Sequence, residues 1–161
     1  MSADTTIQFN GRDQACELAL SLIHQAKTRL CFFGSTLDTV LFDHADSIEA
    51  ISAFSRRVPR AQARFIVQDS QQAHIQSHRL TALSQRLTSS IHLRQTSGTH
   101  KDLQQYFLLI DDDAYLQGQH ASRYVGRGCF DDRSETRRLQ QLFDTIWEQG
   151  TPDSMTRRLT L

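Results

Sequence analysis

The sequence predicts an α/β domain whose mixed, mostly parallel sheet is covered by helices on both faces. Three observations lead to this fold class. Short apolar runs alternate along the chain with stretches of helical periodicity. The run at residues 29–34 is apolar almost throughout and ends in glycine, as expected of a strand buried on both faces. A hairpin and an amphipathic helix follow these alternating units and add antiparallel strands to the sheet.

The first strand and the first helix are predicted within residues 5–26. Residues 5–9 favour a strand, and Asn10 is suited to cap the helix that follows. Apolar residues recur through that helix at helical spacing: Ala15, Leu18, Leu20, Leu22, Ile23 and Ala26. The buried strand at residues 29–34 then completes a strand–helix–strand unit.

A second helix and a third strand repeat this order. A loop at residues 35–43 precedes a helix in which Asp46 and Glu49 form a capping-box pair. Pro59 prevents that helix from continuing, and residues 63–68 form the next strand.

The next unit places three loops at one edge of the predicted sheet. Ser70 is suited to cap a long helix, and residues 90–95 alternate as a strand with one wetter face. In open α/β sheets, ligands bind beyond the carboxyl ends of the strands. The loops at residues 35–43, 69–70 and 96–102 are therefore expected to line a ligand-binding edge.

A hairpin and a final helix complete the predicted fold. Residues 105–110 form the most apolar strand, and three aspartates at 111–113 turn the chain into a second strand at 114–116. After an irregular stretch, Asp132 and Glu135 cap the last helix. The apolar stripe of this helix comprises Leu139, Leu142, Phe143, Ile146 and Trp147.

Length and composition indicate one domain over residues 1–150, with a loosely attached C-terminal tail over residues 151–161. A chain of 161 residues with 39% hydrophobic and 22% charged residues is able to bury a core without disulfides. Cys16, Cys31 and Cys129 have no metal-type spacing and are expected to be reduced thiols. We recognise no signal peptide and no apolar run near the ~20 residues that span a bilayer. The expected location is the cytoplasm.

The charge balance disfavours two classes of partner. The chain has 18 basic and 18 acidic residues, whereas non-specific nucleic-acid binders and membrane-surface proteins usually have a basic excess. Lys27 and Lys101 are the two lysines, so 16 of the 18 basic residues are arginines. Because a guanidinium group binds phosphate or carboxylate in a bidentate manner, the composition is compatible with a local anion site. A coding bias towards arginine is the competing explanation.

Residues 104–118 resemble the core motif of the phospholipase D superfamily. They read Gln-Gln-Tyr-Phe-Leu-Leu-Ile-Asp-Asp-Asp-Ala-Tyr-Leu-Gln-Gly. The family motif runs His-x-Lys-x4-Asp on a strand, turns after the aspartate and returns to a glycine corner. The order of the flanking elements is also similar to one phospholipase D-type half, and short uncharacterised bacterial relatives of the family resemble the chain as well. The resemblance implies a phospholipase D-like half with a C-terminal β-hairpin and helix.

Two functional positions of this motif are changed. Asp111 falls on the motif aspartate and Gly118 on the corner glycine, but Gln104 stands at the position of the nucleophilic histidine and Tyr106 at that of the lysine. Glutamine neither attacks phosphorus nor transfers protons near pH 7, and tyrosine lacks the fixed positive charge that stabilises the transition state. The resemblance therefore implies a degenerate HKD motif, a pseudoenzyme without catalytic residues, and vestigial roles for Gln104, Tyr106 and Asp111.

The segment after the corner supplies the predicted ligand-binding residues, which are His120, Ser122, Arg123 and Arg127. In a phospholipase D-like fold they would line the mouth of the former active site, and guanidinium groups suit phosphate. The interpretation is a non-catalytic module that binds a phosphate-like anion or a protein partner, without metal or cofactor. Nucleic acid is a less favoured partner at zero net charge, and salt bridges to the acidic residues at 131–135 are the competing explanation for the arginines.

An enzyme and a homodimer stay open as further hypotheses. A phosphodiesterase or nuclease would need an active site rebuilt around Asp111, His120 and Ser122. Because active members of the family pair two halves at one site, a lone half suggests a homodimer.

Two patterns that are able to hold a metal ion have simpler interpretations. His74 and His78 stand at i and i+4, but Ile75 occupies the position of the glutamate that a zinc hydrolase needs, so exposed polar residues are preferred. The aspartates at 111–113 offer oxygen ligands for a divalent cation, but a solvated turn is preferred.

Overall fold

Eight strands and five helices make up the part of the chain that the computed structural model describes, which is residues 6–68, 78–96, 100 and 102–152. The strands are β1 (Ile7–Asn10), β2 (Arg29–Gly34), β3 (Gln62–Val67), β4 (Ile91–Gln95), β5 (Tyr106–Ile110), β6 (Ala114–Gly118), β7 (Val125–Cys129) and β8 (Thr151–Pro152). The helices are α1 (Arg12–Gln25), α2 (Thr39–Phe42), α3 (Ala45–Arg57), α4 (Arg79–Arg86) and α5 (Arg133–Gln149).

The strands form one mixed sheet in the order β1-β7-β6-β5-β2-β3-β4-β8. Strand β3 pairs in parallel with β2 and with β4, and the remaining neighbours pair antiparallel. The α/β class and the mixed sheet are as predicted, but the sheet is mostly antiparallel rather than mostly parallel. The reason is that the β5–β6 hairpin lies against β2 near the middle of the sheet, and β7 and β1 extend it by further antiparallel pairings.

Strand β7 lies in the stretch that the sequence analysis took as irregular. Glycines at two of its positions weaken the apolar alternation by which strands are recognised. They are needed there because β7 approaches β6 closely: a Cβ atom at Gly126 would lie 2.0 Å from the carbonyl oxygen of Gln117. The glycines that make β7 hard to recognise from the sequence are therefore required for its pairing with β6.

The helix starts agree with the sequence only in part. Asp132 caps α5, since its carboxylate accepts a hydrogen bond from the backbone N–H of Glu135 at 3.1 Å, as predicted. Helix α3 instead begins one residue after His44, whose ring nitrogen accepts from the N–H of Ser47. Gly11, not Asn10, precedes α1, at a φ of 109° that favours glycine. Ser70 lies outside the described residues.

Two apolar layers cover the two faces of the sheet, which confirms helices on both sides. Neighbouring residues of β2 point to opposite faces. Phe32 packs edge-on against Phe42, with ring centroids 4.8 Å apart, in the layer formed with α1–α4. Phe33 packs against Phe107 in the layer formed with α5. No helix in the described chain is long and apolar enough to cross a membrane.

Candidate functional site

The register of the central strands defines the edge at which the motif residues lie. Phe33, near the carboxyl end of β2, pairs with Phe107, near the amino end of β5. Tyr106 pairs with Gly118, so the glycine corner of β6 lies at the same edge. Because β2, β3 and β4 are parallel, their carboxyl ends and the loop at residues 35–43 also meet there. This is the edge where the sequence analysis expected a ligand.

Tyr106 fills the space at the corner. Its side chain is 4% exposed, and its hydroxyl donates a hydrogen bond to the backbone carbonyl of Arg123 at 2.8 Å. The ring lies directly against Gly118, where a Cβ atom would be 2.1 Å from the Cζ atom of the ring. Burial, with a smaller effect of the nearby Asp38 carboxylate, raises the pKa of Tyr106 to about 12, so the side chain is a neutral donor near pH 7.

Asp38 connects three segments beside Tyr106. Its carboxylate accepts the N–H of Leu41 at 2.9 Å, which caps α2, and the hydroxyl of Tyr124 at 3.1 Å. Burial raises the pKa of the Asp38 carboxyl group, although these hydrogen bonds oppose the shift. Burial and the Asp38 charge also raise the pKa of Tyr124. The Asp38–Tyr124 pair is therefore a structural contact of this edge.

His78 also contributes to the edge and is not the exposed polar residue that the sequence suggested. It is 2% exposed, and its Nδ1 accepts the N–H of Leu80 at 3.1 Å at the start of α4. The proton is then assigned to Nε2, which lies 3.3 Å from the carbonyl oxygen of Asp38. Burial lowers the pKa of His78 and favours the neutral ring. His74, its proposed partner in a metal site, lies outside the described residues.

Four of the sequence-predicted residues lie together at this edge, and their side chains are exposed: Gln104, His120, Ser122 and Arg123. A tight turn holds the last three, since the N–H of Arg123 donates to the carbonyl of His120 at 3.0 Å. Arg12 adds a second guanidinium group, centred 5.9 Å from the ring of Tyr124. Two exposed guanidinium groups therefore lie at this edge.

Arg127 lies away from this turn and already has an acidic partner. It is on the face of β7 that α5 covers, and its guanidinium binds Glu135 at 2.7 Å. Glu135 also accepts two hydrogen bonds from Arg138. Salt bridges to the acidic residues at 131–135 are the competing explanation for the predicted ligand-binding arginines. Arg127 forms such a salt bridge.

Asp111 lies at the opposite end of the hairpin from the corner, because β5 and β6 pair along their whole length between the two sites. Its carboxylate accepts the N–H groups of Lys27, Thr28 and Arg29 at 2.9–3.2 Å, and its φ of 53° is that of a tight turn. Asp112 forms an ion pair with Arg29. The structure thus separates Asp111 from Tyr106, His120 and Ser122, with which the sequence analysis had grouped it.

Two ionisable groups at this edge have structural roles. Asp38 and His78 are engaged in structural hydrogen bonds, and the described residues contain no group of three or more histidines, cysteines or acidic residues able to hold a metal ion. Sequence reasoning missed Asp38 and Tyr124, and it took His78 for an exposed residue. The one local signal for Asp38 was that aspartate commonly caps a helix, whereas nothing local indicated that Tyr124 would contact it.

Sequence comparison identifies one family. A profile described as "Domain of unknown function (DUF7931)" matches residues 11–159. No curated protein sequence matches the chain at a significant level.

Structural comparison shows the phospholipase D-like fold. Nuc from Salmonella typhimurium, a phospholipase D family member, superposes with a TM-score of 0.62 at 16% identity, over 92% of this chain and 98% of that one. Phosphatidylserine synthase from Haemophilus influenzae Rd KW20 gives 0.67 at 11% identity, over 99% of this chain and 42% of that one. The archaeal chromatin protein TrmBL2, described as showing a novel mode of DNA binding, gives 0.69 at 10% identity, over 92% of this chain and 53% of that one. The chain thus spans about half the length of TrmBL2 and less than half of the synthase.

Proposed function

The chain belongs to the DUF7931 family, and from its phospholipase D-like fold and its filled corner we propose that it is a non-catalytic module that binds a phosphate-like anion at this edge. The anion is either free or part of a larger partner, such as a protein segment or a nucleic acid. Arg123 and His120 are the proposed contacts, with Ser122 as a neutral donor in the same turn.

The presence of a buried, neutral tyrosine at position 106 is the main support for the proposal that the site is not catalytic. The resemblance puts a lysine there, whose charge would stabilise a phosphoryl transition state. The neutral Tyr106 hydroxyl is instead hydrogen-bonded to a backbone carbonyl, and its ring packs on the corner glycine. Gln104, at the position of the nucleophile, is exposed and has no titratable nitrogen.

The exposed cations support anion binding. Arg123 directly precedes Tyr124, and the Arg12 guanidinium lies 5.9 Å from the centroid of the Tyr124 ring, while the half-buried Asp38 carboxylate is occupied by the Tyr124 hydroxyl and by a backbone N–H. An anion at the turn would therefore meet guanidinium groups before it meets the carboxylate. Arg127 is one of the predicted ligand-binding residues. Because its guanidinium is already paired with Glu135, it is expected to contribute less to anion binding.

A combined assay of hydrolysis and binding tests the function. A chromogenic phosphodiester and labelled single- and double-stranded DNA are offered with and without divalent metal, and we expect no turnover. Binding of the DNA, or of a phosphorylated peptide, is expected to weaken in Arg123→Ala but not in Arg60→Ala, a control at an exposed arginine after α3.

The alternative phosphodiesterase would have to use His120 and Ser122 without Asp111, which lies at the far end of the hairpin. Turnover that His120→Ala or Ser122→Ala abolishes, in protein that remains folded, would overturn the non-catalytic proposal. Equal binding by wild-type protein and Arg123→Ala would overturn the proposed anion site.

We also propose that two copies associate through this edge, because active members of the resembled family pair two halves at one site. Sedimentation equilibrium measures the mass directly. We expect the mass of two chains at micromolar concentration, and the mass of one chain at all concentrations tested would contradict the dimer.

A further inference from the structure

Three basic side chains lie side by side on the face of the sheet that α5 covers. Arg64 on β3 pairs with His92 on β4, and Arg94 is two residues further along β4. Residues two apart in a strand share a face, and directly opposed residues of neighbouring strands do so as well. All three side chains are half-buried.

Trp147 of α5 holds both guanidinium groups in place. The guanidinium carbon of Arg94 lies 4.2 Å from the centroid of the indole, and that of Arg64 lies 5.5 Å from it. Arg94 also donates a hydrogen bond to the backbone carbonyl of Trp147 at 2.6 Å. The ring of Phe143 stacks on the indole at 5.8 Å. Because Phe143 holds the indole in place, the two guanidinium groups that pack on it lose little further conformational freedom when a ligand binds.

The two guanidinium groups differ in their partners from three other arginines on this side of the sheet. Arg29, Arg127 and Arg138 each form an ion pair with a carboxylate. Within the described chain, neither Arg64 nor Arg94 has a carboxylate oxygen within 4.0 Å, and the exposed Asp144 of α5 accepts a hydrogen bond from Gln140 instead.

Neighbouring like charges repel each other here. Burial lowers the pKa of Arg94, and the Arg64 charge lowers it further. Burial lowers the pKa of His92, and the charges of both arginines lower it further. A bound anion would relieve this repulsion and accept hydrogen bonds from both guanidinium groups.

We propose that Arg64 and Arg94, with His92 beside them, bind a phosphate group, either free or as an ester. The site is distinct from the corner at Arg123: four inter-strand steps separate β6 from β4 in the sheet, about 19 Å at ~4.8 Å a step. A phosphate suits the pair because its oxygens accept from two forked donors at once.

Trp147 is the single tryptophan of the chain, so its fluorescence reports on this site directly. The test titrates the whole protein with inorganic phosphate, and separately with a short single-stranded DNA, at constant ionic strength maintained with chloride. We expect a saturable change in Trp147 fluorescence with at least one of the two probes. If only DNA produces the fluorescence change, the site binds a phosphate ester such as the nucleic-acid backbone. If inorganic phosphate also produces the change, the site binds the free anion.

Variants separate this site from the proposed function. Arg64→Gln, which leaves the hydrogen bond between Arg94 and Trp147 in place, is expected to weaken binding about tenfold, as the loss of one charge-assisted contact would. Arg94→Gln is expected to do the same, and urea unfolding checks that it remains folded. Arg60→Gln, at an exposed arginine away from this face, is expected to give the same fluorescence titration as the wild type.

Three results would overturn the proposal: no saturable change with either probe, the same change on adding chloride alone, or unaltered binding in both Arg64→Gln and Arg94→Gln. Loss of binding in Arg123→Ala alone would assign the anion to the corner and not to this face. If the anion site proposed at the corner fails its own test, Arg64→Gln is still expected to weaken the fluorescence titration relative to the wild type.

Discussion

Asp111 is the residue whose role changes most between sequence and structure. The family resemblance made it part of a former catalytic set, whereas its carboxylate accepts the backbone N–H groups of Lys27, Thr28 and Arg29. These hydrogen bonds join the hairpin turn to the start of β2. Its conformation at a φ of 53° is one that aspartate tolerates better than most residues.

Replacing Asp111 is therefore expected to affect stability. Asp111→Ala removes the acceptor of several N–H groups and places alanine at a positive φ, which should lower the free energy of unfolding by about 2–3 kcal/mol. Urea denaturation measures the change. Asp112→Ala is the matched control in the same turn, because its ion pair with Arg29 is exposed and should contribute less than about 1 kcal/mol. Equal stabilities of the two variants would contradict this account.

The close contact of Gly118 and Tyr106 gives a second prediction at the residue scale. A Cβ atom at position 118 would overlap the far end of the Tyr106 ring, so Gly118→Ala should cost about 1–3 kcal/mol of stability. In a Tyr106→Leu background, which lacks those ring atoms, the same substitution should cost at least ~1 kcal/mol less. A double-mutant cycle from urea unfolding measures the difference. Additive effects would show that the ring is not what excludes a side chain there.

At the scale of elements, α5 combines a local start with non-local contacts. Asp132 caps it as the sequence predicted, and Glu135 in its first turn binds both Arg127 and Arg138. The hydrogen bond from Arg138, with the charges of both arginines, lowers the pKa of Glu135 against the opposing effect of burial. The ionised carboxylate is therefore favoured more in the folded than in the unfolded chain.

This shift has a defined pH dependence. Because the folded pKa is depressed, the stabilisation is fully present above the unfolded value of about 4.3 and is lost as pH falls through the lower folded value. Wild type should exceed Glu135→Gln in stability at pH 7 by about 1 kcal/mol or less, since both arginines are largely exposed, and the difference should shrink below about pH 4. Unfolding curves from pH 3 to 7 test this. Glu148→Gln, at an exposed position of the same helix, should show no such trend, and a difference for Glu135→Gln that is constant with pH would contradict the prediction.

At the scale of the whole molecule, the two apolar layers determine which thiols are accessible. Cys31 and Cys129 are fully buried in the layer on the α5 side. Burial raises the pKa of Cys31 to about 11. Cys16 on α1 is half-buried, with its sulfur 3.1 Å from the Nε2 of His44, and burial and nearby carboxylates raise its pKa as well. In the described chain, no disulfide joins any of the three, and the sequence predicted thiols.

Thiol labelling at pH 8 tests this layering. In the folded protein we expect one slowly reacting thiol, that of Cys16, because reactivity follows exposure and thiolate fraction. All three should react after unfolding in urea. Cys16→Ser should abolish the reaction of the folded protein, and rapid native labelling of that variant would show that one of the two buried thiols is accessible.

The sequence by itself determined the features that depend on neighbouring residues. Periodicity located most strands and helices, Asp132 indicated the start of α5, and the motif positions showed Gln104 and Tyr106 in place of histidine and lysine. Each of these signals lies within a few residues of the element it describes, and no partner distant in sequence is needed to interpret it.

Only the tertiary structure decided which of these residues meet. It set the strand order that made the sheet mostly antiparallel, separated Asp111 from the corner, brought Tyr124 to Asp38, and placed Arg64 and Arg94 on Trp147. The side-chain contacts among these join residues from 53 to 86 positions apart. Strand pairing and side-chain packing select them from many arrangements with the same local pattern, because periodicity states which face of an element is buried but not what covers it.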